Sequence, residues 1–182
     1  YEKLLEINEQ LERSIALKEI EQRLNAEQAA ADAADLYGKM DTDNAPSAQK
    51  VDETVAAWNA DNAGSDNYTA IFDAAQGMAA DKNDINALLA DYQIILNGIQ
   101  RMEQDMLDDK NNEDYDFIQG RLEDLQVYKR EAVDYLQEYA QNAQQIYNAT
   151  KNAMDLGIAL SSNQQQAFTG AQAALDLIDE RF

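Results

Sequence analysis

The chain has 182 residues, 45% of them hydrophobic, so it is long enough and apolar enough to bury a core. Its 35 acidic and 14 basic residues give a formal charge of -21, which argues against binding to nucleic acid or to an anionic membrane surface, both of which need Lys and Arg. The absence of Cys and His excludes disulfides, thiolate zinc sites, Cys nucleophiles and every His-based mechanism.

The first predicted element is a long amphipathic helix over residues 1–40. Its large apolar residues fall into two groups on different faces, since each residue turns the helix by about 100°. The first group is Leu4, Ile7, Leu11 and Ile15, and the second is Leu17, Ile20 and Leu24. The apolar stripe therefore changes face near Ala16, where the helix either bends or leaves one partner and meets another. An alanine-rich run follows, and Gly38 with the polar residues 41–46 ends the helix.

Residues 41–82 are predicted to form two short helices inserted between longer ones. Ser47, directly after Pro46, is an expected N-cap for a helix over about 48–62. Ser65, Asp66 or Asn67 can cap the next one. Because about 45 residues are too few for an independent core, we interpret this segment as an insertion rather than a separate domain.

Residues 84–160 are predicted to form an antiparallel hairpin of two long helices. The first begins at Asn83 or Asp84 and carries seven apolar residues at strict 3-4 spacing: Ile85, Leu88, Tyr92, Ile95, Ile99, Met102 and Met106. After a short polar connection, the second runs from 114 to 160 with a similar seam, interrupted by Lys129 and Thr150. Such spacing is typical of coiled-coil packing, and a short connection makes the two helices antiparallel.

Beyond residues 161–163 the apolar spacing resumes in a new phase, as far as Phe182. The change of phase fits either a slip within one helix or a short turn between two; we favour a continuing or kinked helix, giving a C-terminal amphipathic helix over 163–182. The sequence as a whole predicts an all-α fold. We expect a single helical domain over residues 1–182, an elongated helical bundle with a long antiparallel coiled-coil-like hairpin.

No pattern in the sequence predicts a metal, a cofactor or a catalytic centre. A bundle di-iron site needs Glu-x-x-His pairs, and there is no His. Asn112, Asp114, Asp116 and Glu123 have the spacing of EF-hand ligands, but Phe117 stands where the loop needs Gly. Glycine-rich phosphate loops and nucleophile motifs are absent. We therefore expect no metal site, no cofactor and no enzymatic activity.

The second half of the long helix is the candidate interface, because its seam contains small and polar residues. The residues concerned are Leu136, Tyr139, Ala143, Ile146, Thr150, Ala153 and Leu160. Polar residues at core positions often set register or oligomeric state. We expect a protein partner or a second copy of the chain to bind here, so that Ile146→Asp would disturb assembly more than folding.

These features predict a non-enzymatic helical protein that works by protein–protein interaction and self-assembly, as a homo-oligomer. Long terminal helices, a polar middle, strong acidity and the lack of Cys are similar in layout to extracellular filament, tip and translocator proteins of bacterial secretion systems. No run of 18 apolar residues predicts a membrane span. From the layout, we expect a secreted, extracellular or periplasmic location.

Two other functions fit the same features. An extracytoplasmic helical-bundle ligand-sensing domain of a chemoreceptor or sensor kinase is the first alternative, because both ends of the sequence read as amphipathic helix. A phage or viral assembly protein is the third candidate.

Overall fold

The computed structural model describes residues 1–62, 68–108 and 114–182, and it is 87% helical. No strand occurs in these ranges, so the all-α prediction is confirmed. The helices are α1 (Glu2–Gly38), α2 (Ala48–Asp61), α3 (Thr69–Gly77), α4 (Ile85–Asp108), α5 (Tyr115–Asp155) and α6 (Ser162–Arg181), with a 3-10 turn at Met78–Asp81 between α3 and α4.

Helices α4 and α5 pack along each other as the predicted hairpin. The apolar spacing of α4 explains this, because its seam residues, including Leu88, Ile95 and Met102, are buried. On the facing helix, Leu125 and Ala132 are buried in the same core. Asp84 begins α4 as expected, since its Oδ1 accepts a hydrogen bond from the Ala87 amide at 3.2 Å.

The insertion packs on α4 rather than forming a core of its own. Ser47 caps α2 as predicted, with its hydroxyl oxygen accepting from the Lys50 amide at 3.2 Å. Val51 of α2 and Phe72 of α3 join the main hydrophobic core. The caps expected at Ser65, Asp66 and Asn67 lie outside the described residues.

The second half of α5 packs against α1 and α6. Its neighbours contribute small buried side chains, which allow the helix axes to approach closely. These are Ala26, Ala30 and Ala33 of α1 and Ala167, Ala171 and Ala174 of α6. At Gly170 of α6 the Tyr37 side chain of α1 packs against the backbone, where a Cβ atom would collide with the Tyr37 hydroxyl. This half of the molecule is therefore a three-helix bundle with an alanine-rich core.

The expectation of a helix continuing past residue 155 is wrong. Helix α5 ends at Asp155, and Gly157 follows in the left-handed region with φ of 75°. The Ile158 amide then donates to the Ala153 carbonyl at 3.0 Å, which closes the helix end. Helix α6 begins afresh after Ser161, which makes a reciprocal capping box with Gln164. The phase change in the sequence marks a turn between two helices.

Candidate protein interaction surface

The structure places the predicted interface residues inside the chain's own bundle. Buried in it are Leu136, Tyr139, Ala143, Ile146, Thr150 and Ala153, whereas Leu160 is half-buried in the turn before α6. The helices that cover this face are α1 and α6 of the same chain. An interface role for these residues stays a prediction, and it would now require the bundle to open.

Asn86 and Thr150, polar residues buried in the described core, have hydrogen bonds to neighbouring backbone. Asn86 accepts from the Ser47 amide and donates to the Ala45 carbonyl, both at 2.9 Å. The Thr150 hydroxyl donates to the Ile146 carbonyl at 2.7 Å, within its own helix. Since both side chains serve the fold, neither is left to recognise a ligand.

The most extensive uncovered apolar surface that we find lies on the N-terminal part of α1. We call residues 1–24 the arm, and every one of them is exposed. Leu4 is 64% exposed and Ile15 is 55% exposed, which is far from the usual burial of such side chains in a folded protein. The large apolar side chains exposed on the arm are Leu4, Leu5, Ile7, Leu11, Ile15, Leu17, Ile20 and Leu24.

The arm is uncovered because α1 is longer than the bundle beside it. Helix α1 runs antiparallel to α5, since Arg23 donates to the Leu156 carbonyl at 3.2 Å while Tyr37 lies near Tyr139. Leu156 already lies past the end of α5. The residues before Arg23 therefore extend beyond the α5–α6 turn, over roughly 33 Å at 1.5 Å per residue.

The arm differs from the rest of the chain in charge as well as in exposure. Residues 1–24 hold four of the 14 basic residues and six of the 35 acidic ones, a net charge of -2 against -19 for the remainder. The arm is therefore apolar with little net charge, whereas the body is strongly acidic.

The acidic groups in the described part of the body do not form a metal centre. Within the described ranges there is no group of three or more acidic residues that could hold a metal ion. Asn112 of the EF-hand-like series lies outside those ranges, whereas Asp116 and Glu123 lie on α5, as the helical seam requires. Catalysis gains no support from this geometry.

Asp91 of α4 has a strongly altered acidity. Burial raises the pKa of its carboxyl to about 9, with further contributions from a hydrogen bond to Asp81 and from the negative charges of Asp81 and Asp84. Its Oδ2 atom is buried without a hydrogen-bond partner among the described residues. With this pKa the carboxyl holds its proton at pH 7, and it lies on α4 beside Asp81 of the preceding 3-10 turn.

The sequence contained one signal for the arm that the interface prediction did not use. At Ala16 the apolar stripe changes face, and after Leu24 the buried residues of α1 become alanines. Leu and Ile give way to Ala where α5 and α6 begin to approach closely. That change in side-chain size marks the boundary between the uncovered arm and the packed half of α1.

Among the described helices, none is long and apolar enough to cross a membrane. Comparisons of the chain with protein-family models, with curated proteins and with solved structures found no match.

Proposed function

We propose that this protein is a non-enzymatic assembly subunit, and that copies associate through helix packing of the N-terminal arm. The observation that carries the proposal is the exposure of eight large apolar side chains on one projecting helix. Exposed apolar stripes of this kind mark interaction sites, because leaving them in water is unfavourable. Burying one Leu or Ile side chain contributes about 1.5–3 kcal/mol.

The class of assembly protein that we propose is the one expected from the sequence. We propose a secreted or extracellular structural subunit, similar in layout to filament, tip and translocator components of bacterial secretion systems. A long arm attached to a strongly acidic body supports an assembly role, because the arm holds copies together while the bodies stay apart. The buried side chains of Asn86 and Thr150 bond to backbone, so they give the sensing-domain alternative no support.

The proposal predicts an association that depends on the arm and leaves the fold intact. Light scattering after size exclusion should give the wild type a mass that rises with concentration above the 20.4 kDa of one chain. The double variant Leu11→Glu, Ile15→Glu should elute as a 20.4 kDa monomer with an unchanged urea midpoint, because both side chains are exposed in the single chain.

The matched control is the double variant Asn8→Glu, Gln22→Glu, which adds the same charge to the arm and removes no apolar side chain. It should associate nearly as the wild type does. A wild type that stays monomeric at several hundred micromolar, or a control that loses association as completely as the apolar variant, would contradict the proposal.

A further inference from the structure

Around the axis of α1, the first apolar stripe of the arm, Leu4, Ile7, Leu11 and Ile15, is centred about 65° from the buried alanines of the packed half. This follows from the helix period, since each residue adds about 100°. The second stripe, Leu17, Ile20 and Leu24, lies on the opposite side. The first stripe therefore lies on the half of α1 that faces the space beyond the α5–α6 turn.

Parallel pairing of two arms through the first stripe is sterically blocked. Helix α1 is continuous from Glu2 to Gly38. In a parallel pair in register, the second copy's α1 would lie along the same side of the first copy's α1. Beyond Arg23 that space is filled by α5 and α6, against which Ala26 and Ala30 are buried.

Antiparallel pairing meets no such obstacle. The second arm then occupies the space beyond the turn, and its body lies at the far end. The stripe is also self-complementary in this direction, since Leu4 lies opposite Ile15 of the second copy and Ile7 lies near Leu11 of the second copy. Such a pairing buries the same patch on both chains, as a two-fold dimer requires.

Charge favours the same arrangement. The bodies, each at -19, are held apart by the paired arms, which carry only -2 each. The overlap covers about 18 residues, roughly 27 Å at 1.5 Å per residue, so the two bodies lie at least that far apart, well beyond the Debye length of about 8 Å at physiological salt. Bodies packed side by side would bring their negative charges closer than the Debye length, where salt does not screen the repulsion between them.

We propose that the occupant of the first stripe is a second copy of this chain, paired antiparallel so that the two bodies lie at opposite ends of a shared two-helix arm. This inference rests on the proposed function and adds the partner, the stripe and the direction of pairing.

The absence of Cys from the sequence allows a direct test by disulfide mapping. Full-length Leu4→Cys and Ile15→Cys chains are prepared separately, mixed and air-oxidised, and disulfide-linked dimers are counted on non-reducing gels. The mixture should form the mixed disulfide, whereas either chain alone should form little, because its two sulfurs lie about 16 Å apart in the antiparallel pair. Ile20→Cys, on the second stripe, is the matched control and should form none with Leu4→Cys.

Each other outcome identifies which claim fails. Efficient Leu4→Cys dimers in the unmixed sample would show parallel pairing and overturn the inference, while the proposed function would stand. Dimers by light scattering with no disulfide in any sample would place the contact away from the first stripe, and would also overturn the inference. A monomeric mass for all the chains would overturn both.

Discussion

Ile146→Asp is expected to unfold the three-helix half of the bundle at neutral pH. The Ile146 side chain is fully buried between α5 and its neighbours, with 0% of its surface exposed. The change removes the packing of a large apolar side chain and buries a charge that has no partner. The combined cost is about 5 kcal/mol or more, which is comparable to the whole stability of a typical domain. From the apolar spacing alone, Ile146→Asp was expected to disturb assembly more than folding; the buried position of Ile146 leads us to expect the opposite.

Ile15→Asp is the matched control, because it makes the same chemical change on the same kind of helix at a position that is 55% exposed. Urea unfolding followed by circular dichroism, at a low concentration where the chain is monomeric, should show a normal midpoint for Ile15→Asp and a lost or strongly lowered transition for Ile146→Asp. Equal midpoints for the two variants would mean that the second half of α5 is not core.

Asp91→Asn is expected to stabilise the protein above neutral pH and to flatten its pH dependence. The pKa of Asp91 is raised to about 9 in the folded state, mainly by burial, against about 3.9 in an unfolded chain. The folded state therefore holds a proton that the unfolded state has lost. The contribution of Asp91 to the free energy of unfolding is fully present below about pH 4, where both states hold the proton. It declines as the pH rises from about 4 toward 9, because only the unfolded state then loses the proton.

The amide that Asp91→Asn introduces is neutral throughout, so the variant should lack this decline. At pH 8 its free energy of unfolding should exceed that of the wild type by about 1–3 kcal/mol, a figure reduced to allow for the partial exposure of the carboxyl. Urea midpoints measured from pH 5 to pH 9 test this, with Asp73→Asn on the exposed side of α3 as the control. A decline with pH in Asp91→Asn as steep as in the wild type would contradict the assignment.

The hairpin was predictable because its evidence is local and repeated. Seam residues such as Leu88, Ile95 and Met102 recur at helical spacing, and few structures other than a buried helix face satisfy that pattern. The capping residues Ser47 and Asp84 were recognisable for the same reason, since a cap depends on residues a few positions away.

The covering of the second half of α5 was not predictable from spacing alone. Ala143 and Ala153 look like weak points of a seam, but they are fully buried where alanines of α1 and α6 approach closely. Small residues in a seam are compatible either with a helix face that lacks a partner or with one that packs closely against another helix. Only the tertiary structure shows which of the two applies. For the same reason the end of α5 was missed, because Gly157 is compatible with a helix until its φ of 75° is known.

The location of the arm depends on the length of α1 relative to the bundle that covers it, and no local sequence pattern predicts that relation. Helix α1 is 37 residues long, and the α5–α6 turn falls beside Arg23, so the residues before it have no cover. The sequence shows that Leu11 and Ile15 belong to an amphipathic helix. Which part of that helix lacks a partner follows only from the register of α1 against α5.

Amide hydrogen exchange of the wild type at two protein concentrations tests the central claim, that copies of the chain pair through the arm. An unpacked helical extension opens readily, whereas a paired one is protected. We expect exchange within residues 5–22 to slow markedly at high concentration, while the α4–α5 core exchanges equally slowly at both. Arm amides with the same exchange rates at both concentrations, in a chain that remains monomeric, would contradict the account.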